Sequence, residues 1–154
     1  MNSLVISFFL SLTPVGELRA GLPFALVSGI SVWLAYFICI SANILVFPLL
    51  FFFLEFVHKR FLRHDHYRSA FDKYMERVRR RTHKKIERFG YVGLFLLVAV
   101  PLPFTGAYTG TLAAWFFGMD KLKSFIAVAL GVMVAGLIVL SVYFGGLGLF
   151  NGLF

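Results

Sequence analysis

The sequence predicts an all-α integral membrane protein. It is expected to hold two inverted repeats, each a re-entrant helical hairpin followed by a transmembrane helix, joined by a basic amphipathic cytoplasmic helix. Three observations carry this. The 154 residues are 60% hydrophobic and 14% charged, with 20 Phe, whereas a soluble domain is about half apolar and about a quarter charged. The net charge of +8 is concentrated in one stretch: His58–Arg88 holds twelve of the 15 Lys and Arg, and four of the seven acids. Of four apolar stretches, the first and third are interrupted in mid-course by Pro and Gly. Soluble enzyme, disordered tail, collagen and disulfide scaffold are excluded on composition. The single cysteine, Cys39, forms no internal disulfide. The N-terminus has neither a basic n-region nor an A-x-A-like site, so no cleavable signal peptide is expected.

Residues 1–30 form the first predicted hairpin. Two apolar arms of about 12 residues flank an elbow at Pro14 and Gly16, with Pro23 further on. A 12-residue helical arm is about 18 Å long, roughly half a bilayer. Proline removes a backbone donor and disfavours helix in the residue before it. Broken backbone at membrane depth survives only when buried in protein or lining a wet cavity. Residues 31–57 carry no charge until Glu55 and form the first transmembrane helix. Residues 58–89 are the basic block. Tyr67, Phe71, Tyr74, Met75, Val78, Thr82, Ile86 and Phe89 fall mostly at three- and four-residue steps, one face of a helix that Asp65 could cap. Arg77, Arg79, Arg80, Arg81, Lys84 and Lys85 cover much of the rest and would rest on the anionic inner leaflet. Residues 90–118 repeat the broken pattern with elbows at Pro101, Pro103, Gly106 and Gly110; 119–144 form the second transmembrane helix, and 145–154 a glycine-rich tail.

The repeat is visible at an offset of 89. Pro14 falls on Pro103, Gly21 on Gly110, Ala25 on Ala114 and Gly29 on Gly118, while Ser31 and Asp120 are each placed to cap the helix that follows. One span separates the repeats, so the second enters the membrane from the opposite side, as in transporters built of inverted repeats. By the positive-inside rule the basic block is cytoplasmic, and a hairpin at 90–118 returns Asp120, Lys121 and Lys123 to the same side. The alternative, a kinked full span in place of each hairpin, sends those lysines outside. Trp33 and Trp115 fall near the expected interfaces.

Intramembrane ionisable residues are functional by default, so Glu17 and Arg19 lead the candidates for a substrate or proton site. Two apart in a helix, they point to different sides, and pair directly only across an irregular elbow. Asn43, at the middle of the second stretch, could reach an elbow or bind a neighbouring helix. Thr105, Tyr108, Thr109 and Thr111 bring hydroxyls to the second hairpin, as pathway lining or as caps on broken helix ends. Glu55 and Lys59 read as a structural helix pair. His58, His64, His66 and His83 lie in the basic block without metal-ligand spacing, so no metal or other cofactor is expected. No phosphate loop or nucleophile–base pair is present, so the chain is not expected to be an enzyme. A basic block between apolar segments does not call for nucleic acid as a partner.

Glu17-Leu18-Arg19-Ala20-Gly21-Leu22-Pro23, Phe89-Gly90-Tyr91-Val92-Gly93-Leu94 and Val100-Pro101-Leu102-Pro103-Phe104-Thr105-Gly106-Ala107-Tyr108-Thr109-Gly110 resemble the putative small multidrug export family. That family is placed in the wider DedA superfamily, whose members have two opposed re-entrant hairpins. The resemblance implies proton-linked transport or lipid translocation in the plasma membrane. Pro14-Val15-Gly16-Glu17 stands for the superfamily's acidic first-hairpin motif, but no arginine follows Pro103, leaving Arg19 as the deep cation. The expected function is a proton-coupled carrier or translocase of an anionic lipid head group. Export of small cationic drugs is the alternative, and a non-transporting scaffold is the alternative of another class. Membrane lipids are the expected partners, with a homo-oligomer left open.

The hairpin topology puts both termini on the side away from the basic block. Cysteines at Ser3 and Asn151, in a Cys39→Ala background, should react with an impermeant thiol reagent in intact cells. Labelling of both only in inverted vesicles would end this topology.

Overall fold

The computed structural model describes residues 2–14, 16–58, 69, 72–73, 75–77, 89–101 and 105–151, and among them every regular element is helical. In chain order these are α1 (Ser3–Leu12), α2 (Glu17–Val27), α3 (Val32–Phe52, continued by a π-type segment Phe53–His58), α4 (Phe89–Ala99), α5 (Ala107–Phe116) and α6 (Lys121–Asn151). Two helices are long and apolar enough to cross a membrane: Val32–Phe56, mean hydropathy 2.5, and Lys121–Gly146, mean hydropathy 2.8. The interior is built of small and medium residues, among them Ala25, Ala35, Ala42, Ala113 and Ala114, whereas Phe37, Phe52, Phe56 and Leu122 lie on the outside. Small residues inside let helices approach closely, and large apolar ones outside suit lipid. Exposed aromatic surface on this scale would not suit water.

The short helices come in folded-back pairs. A Cβ placed on Gly21 of α2 would overlap Ser11 Oγ and lie 2.8 Å from the Ser7 carbonyl oxygen, so α2 lies alongside α1. In the second pair, a Cβ on Gly110 of α5 would meet Val98 at 2.6 Å and Leu94 at 3.8 Å, both on α4. Thr13 ties the first break together: its Oγ1 donates to the Leu10 carbonyl at 2.8 Å and accepts the Gly16 N–H at 3.2 Å.

The long helices run antiparallel. Tyr36 donates to the Met133 carbonyl at 3.0 Å, the Phe47 and Phe125 rings are 5.6 Å apart, and Lys121 pairs with Glu55 at 2.6 Å. The end of α3 and the start of α6 therefore share one end of the molecule. The Asp120 N–H donates to Tyr91 Oη at 3.1 Å, so α4 begins and α5 finishes at that same end. In the first half, α2 packs on both long helices, and so does α5 in the second.

Local geometry recurs at the 89-residue offset. Ile30 N–H bonds the Ala25 carbonyl at 3.1 Å and Gly29 N–H that of Leu26 at 3.1 Å; Met119 and Gly118 repeat this with Ala114 (2.9 Å) and Trp115 (3.1 Å). Gly29 at φ 79° and Gly118 at φ 61° occupy the left-handed position that ends each helix, where a Cβ is disfavoured.

Several sequence expectations need correction. Pro23 and Gly110 lie inside α2 and α5, not in the breaks. Pro23 takes only one donor from its helix, and Gly110 serves close packing. Ser31 makes no side-chain cap, whereas Asp120 Oδ1 accepts the Lys123 N–H at 2.9 Å. Helix α6 does not stop near Phe144 but continues through the glycines to Asn151. Glu55 pairs with Lys121, which also lies 5.2 Å from the centre of the Phe51 ring; Lys59 is outside the described residues. Within the basic block, Met75 is buried in the protein core, while Asp72, Lys73, Glu76, Arg77 and Phe89 are exposed; Tyr67, Phe71, Tyr74, Val78, Thr82 and Ile86 lie outside the described residues. Arg79, Arg80, Arg81, Lys84, Lys85 and Asp65 lie outside the described residues.

Gly21→Val should lower thermal stability in detergent by more than the usual overpacking cost of about 1–3 kcal/mol, because the close contact is with backbone as well as a side chain. Gly145→Ala, with nothing within 4 Å of its Cβ, should be neutral or stabilising by about 1 kcal/mol or less. Thermal unfolding of the two variants side by side checks both.

Candidate functional site where the helix breaks meet

Both short-helix pairs break at the middle of the molecule, and the breaks touch. Glu17 opens α2 with φ 45°, a left-handed conformation rare outside glycine, costing of order 1–3 kcal/mol. That twist lets the carboxylate turn back against Gly106 of the second break. A Cβ on Gly106 would overlap the Glu17 carboxylate. The Tyr108 backbone N–H, in the first turn of α5, donates to it. Glu17 thus serves as an N-terminal anion for a helix in the other half of the chain. This places negative charge where unpaired N–H groups and the helix dipole favour it.

Two further side chains bond across between the halves. Arg19 Nη2 donates to the Thr105 carbonyl at 2.8 Å and to Thr105 Oγ1 at 3.2 Å. Thr105 Oγ1 in turn donates to the Val100 carbonyl at 3.1 Å, closing the second break on itself. Tyr108 Oη donates to the Leu12 carbonyl, the last residue of α1. Helix ends and breaks leave carbonyls without partners, and each half uses a side chain of the other to satisfy one. Arg19 and Tyr108 are related by the 89-residue offset, as are Glu17 and Gly106.

Asn43 on α3 stands opposite. It is 2% exposed, and its Oδ1 has no hydrogen-bond partner among the described residues. Glu17, Arg19, Asn43, Pro101 and Gly106, with Val132 and Ala135 of α6, line a cavity of about 20 Å³. That is room for a single water, which needs roughly 10–15 Å³ and two or more polar partners.

Glu17, Arg19, Asn43, Thr105 and Tyr108 are therefore brought to one place. Gly16 and Pro14 lie in the first break, and Pro101 and Gly106 in the second. Thr109 is buried but is not part of the cavity wall, and Thr111 donates to the Ala107 carbonyl at 2.6 Å within its own helix. Pro103 lies outside the described residues. Glu17 and Arg19 make no direct ion pair among the described residues; each reaches across to the second half. Gly106 as the seat of Glu17, and the Leu12 carbonyl as the acceptor for Tyr108, were not anticipated. The offset of 89 carries Glu17 to Gly106 and could have found the first; a carbonyl leaves no trace in sequence.

A family model described as putative small multi-drug export protein matches residues 17–138. The chain belongs to that family. The match begins at Glu17 and takes in Arg19, Asn43, Thr105 and Tyr108, so the whole side-chain constellation falls within it. Family and apolar helices together make this a membrane protein. No curated protein and no solved structure matches the chain, and no comparison joins it to the DedA superfamily.

Gly106→Ala should destabilise the fold through its contact with Glu17 and its backbone at φ 144°. Part of the cost should vanish in a Glu17→Ala background, giving a coupling of about 0.5–3 kcal/mol as for residues in contact. A double-mutant cycle of unfolding in detergent measures it.

Proposed function

We propose that this chain is a proton-coupled exporter of small organic cations, made of two inverted halves, in which Glu17 alternates between a proton and the cargo. The observation that carries this reading is Glu17 itself. Among the described residues it is the only buried acid, and it sits where both helix breaks meet, beside a water-sized cavity. Buried carboxylates in membrane proteins mark proton and cation pathways. The family description, small multi-drug export, favours the same cargo class. Carriage of an anionic lipid head group would instead use the Arg19 guanidinium, which here binds Thr105 through Nη2.

The inverted arrangement is supported by the matching helix ends at an offset of 89 and by the antiparallel α3 and α6. Each folded-back pair would be a re-entrant hairpin, its two helices of about 15 Å reaching half-way through a bilayer. The basic segment would face the cytoplasm of the plasma membrane, with Arg77, Arg79, Arg80, Arg81, Lys84 and Lys85 toward the anionic leaflet. A 20 Å³ cavity admits no drug, so the hairpins must part for cargo to enter. The bonds that would yield are those between the halves: Glu17 to the start of α5, Arg19 to Thr105, and Tyr108 to Leu12. Protonation of Glu17 removes the anion from the α5 N-terminus, which weakens the first of them. Proton uptake and opening are coupled in this way. Asn43 Oδ1 faces the same cavity as an acceptor for a water or for a cationic donor.

The test is export of a cationic dye from proteoliposomes under an imposed proton gradient. Glu17→Gln should reduce it to the rate of protein-free liposomes, with normal insertion. Arg19→Gln should leave a gradient-dependent rate. If Arg19→Gln abolishes flipping of a labelled anionic lipid while dye export is absent from the parent protein, the lipid reading replaces this one. If Glu17→Gln keeps the cellular phenotype of the parent, the chain is a scaffold.

A further inference from the structure

On the outer face of the second half, α4 and α6 diverge to leave an open groove of about 480 Å³. Tyr91, Val92 and Phe95 form one wall and Ile126, Ala127 and Leu130 the other, with Lys123 at one end. The volume is in the range of small-molecule sites, about 300–1,000 Å³. The wall is apolar apart from its Lys123 end. From Lys123 to Leu130 the groove follows α6 for about 10 Å.

Two acids, Glu55 and Asp120, match the two lysines at its mouth in number, but both are engaged away from the Lys123 ammonium. Lys121 and Lys123 both lie in the first turn of α6, where the helix dipole disfavours cations and where no acid is present. Lys121 is answered by Glu55 at 2.6 Å. The Asp120 carboxylate caps the helix by accepting the Lys123 N–H. The Lys123 ammonium itself has no carboxylate within ion-pair distance among the described residues. A cation held at a helix N-terminus, above an apolar trough, calls for an anion joined to an apolar chain. Position 34, which corresponds to Lys123 at the 89-residue offset, is leucine. The charged mouth therefore exists in one half only, at the end of the molecule where Glu55 and Lys121 meet.

We propose that the groove between α4 and α6 binds one anionic phospholipid of the leaflet at that end, with its phosphate on Lys123 and an acyl chain along Val92, Phe95, Ile126 and Leu130. This lipid is a resident ligand rather than cargo. The proposal does not rest on Glu17 or on the export reading.

The purified full chain, in mixed micelles, is assayed by native mass spectrometry with phosphatidylglycerol and phosphatidylcholine of identical 16-carbon chains. The wild type should retain one phosphatidylglycerol about fivefold better than phosphatidylcholine, the preference expected of one lysine near a lipid phosphate. Lys123→Gln should remove the preference and Lys123→Arg should keep it. Ile126→Trp, which fills the trough from an exposed position, should reduce retention of both lipids, and Val92→Trp provides the same block from the opposite wall. Unchanged preference in Lys123→Gln overturns the proposal and assigns lipid selectivity to the basic segment. A wild-type dimer that Ile126→Trp splits into monomers also overturns it, because the groove is then covered by a second copy.

Discussion

The Glu17 carboxylate at the start of α5 is the interaction around which the molecule is arranged. Interrupting a helix strands backbone N–H and C=O groups, and within a bilayer water is not there to satisfy them. This chain interrupts two helix pairs at the same level and lets each break serve the other. Glu17 takes a stranded N–H of α5, Arg19 a carbonyl of the second break, and Tyr108 a carbonyl at the end of α1. The strained φ of Glu17 and the absence of a side chain at Gly106 are what allow the approach. Without that contact the start of α5 would lose its anion, and the cavity beside Asn43 its acidic wall.

Under the export reading proposed above, the bonds between the two helix breaks are those that would yield when the short-helix pairs part. Three side chains make them, Glu17, Arg19 and Tyr108, one of them able to change charge. The long helices pack antiparallel, with Gly136 against Tyr36 and Ile40, and α6 also holds α4 closely through Gly131 against Val98.

The lipid-facing surface has its own asymmetry. The two halves share their helix boundaries and turn geometry, but Lys121 and Lys123 have no counterparts in the first half, where Val32 and Leu34 stand. Duplicated geometry with unshared charge gives the molecule a direction in the membrane. The Glu55–Lys121 pair marks the same end, at the junction with the basic segment.

Much of the fold was legible in the sequence because it follows from local rules. Composition alone required a membrane, and Pro14 and Pro101 located the breaks. The offset of 89 related the helices that follow. Glu17 and Arg19 stood out because charge at membrane depth is costly wherever the chain goes. The sequence alone left open whether each broken stretch folds back or continues across, and what Glu17 and Arg19 face. It also gave no sign that Glu55 would meet Lys121. The first turns on close packing of Gly21 on Ser11 and of Gly110 on Val98; the others turn on contacts between distant residues, such as Glu55 with Lys121, Arg19 with Thr105 and Tyr108 with Leu12. A local pattern reports what a residue needs, a buried anion a donor or a broken helix a cap. Only the tertiary structure decides which distant group supplies it, because many donors and carbonyls are chemically equivalent and packing selects one.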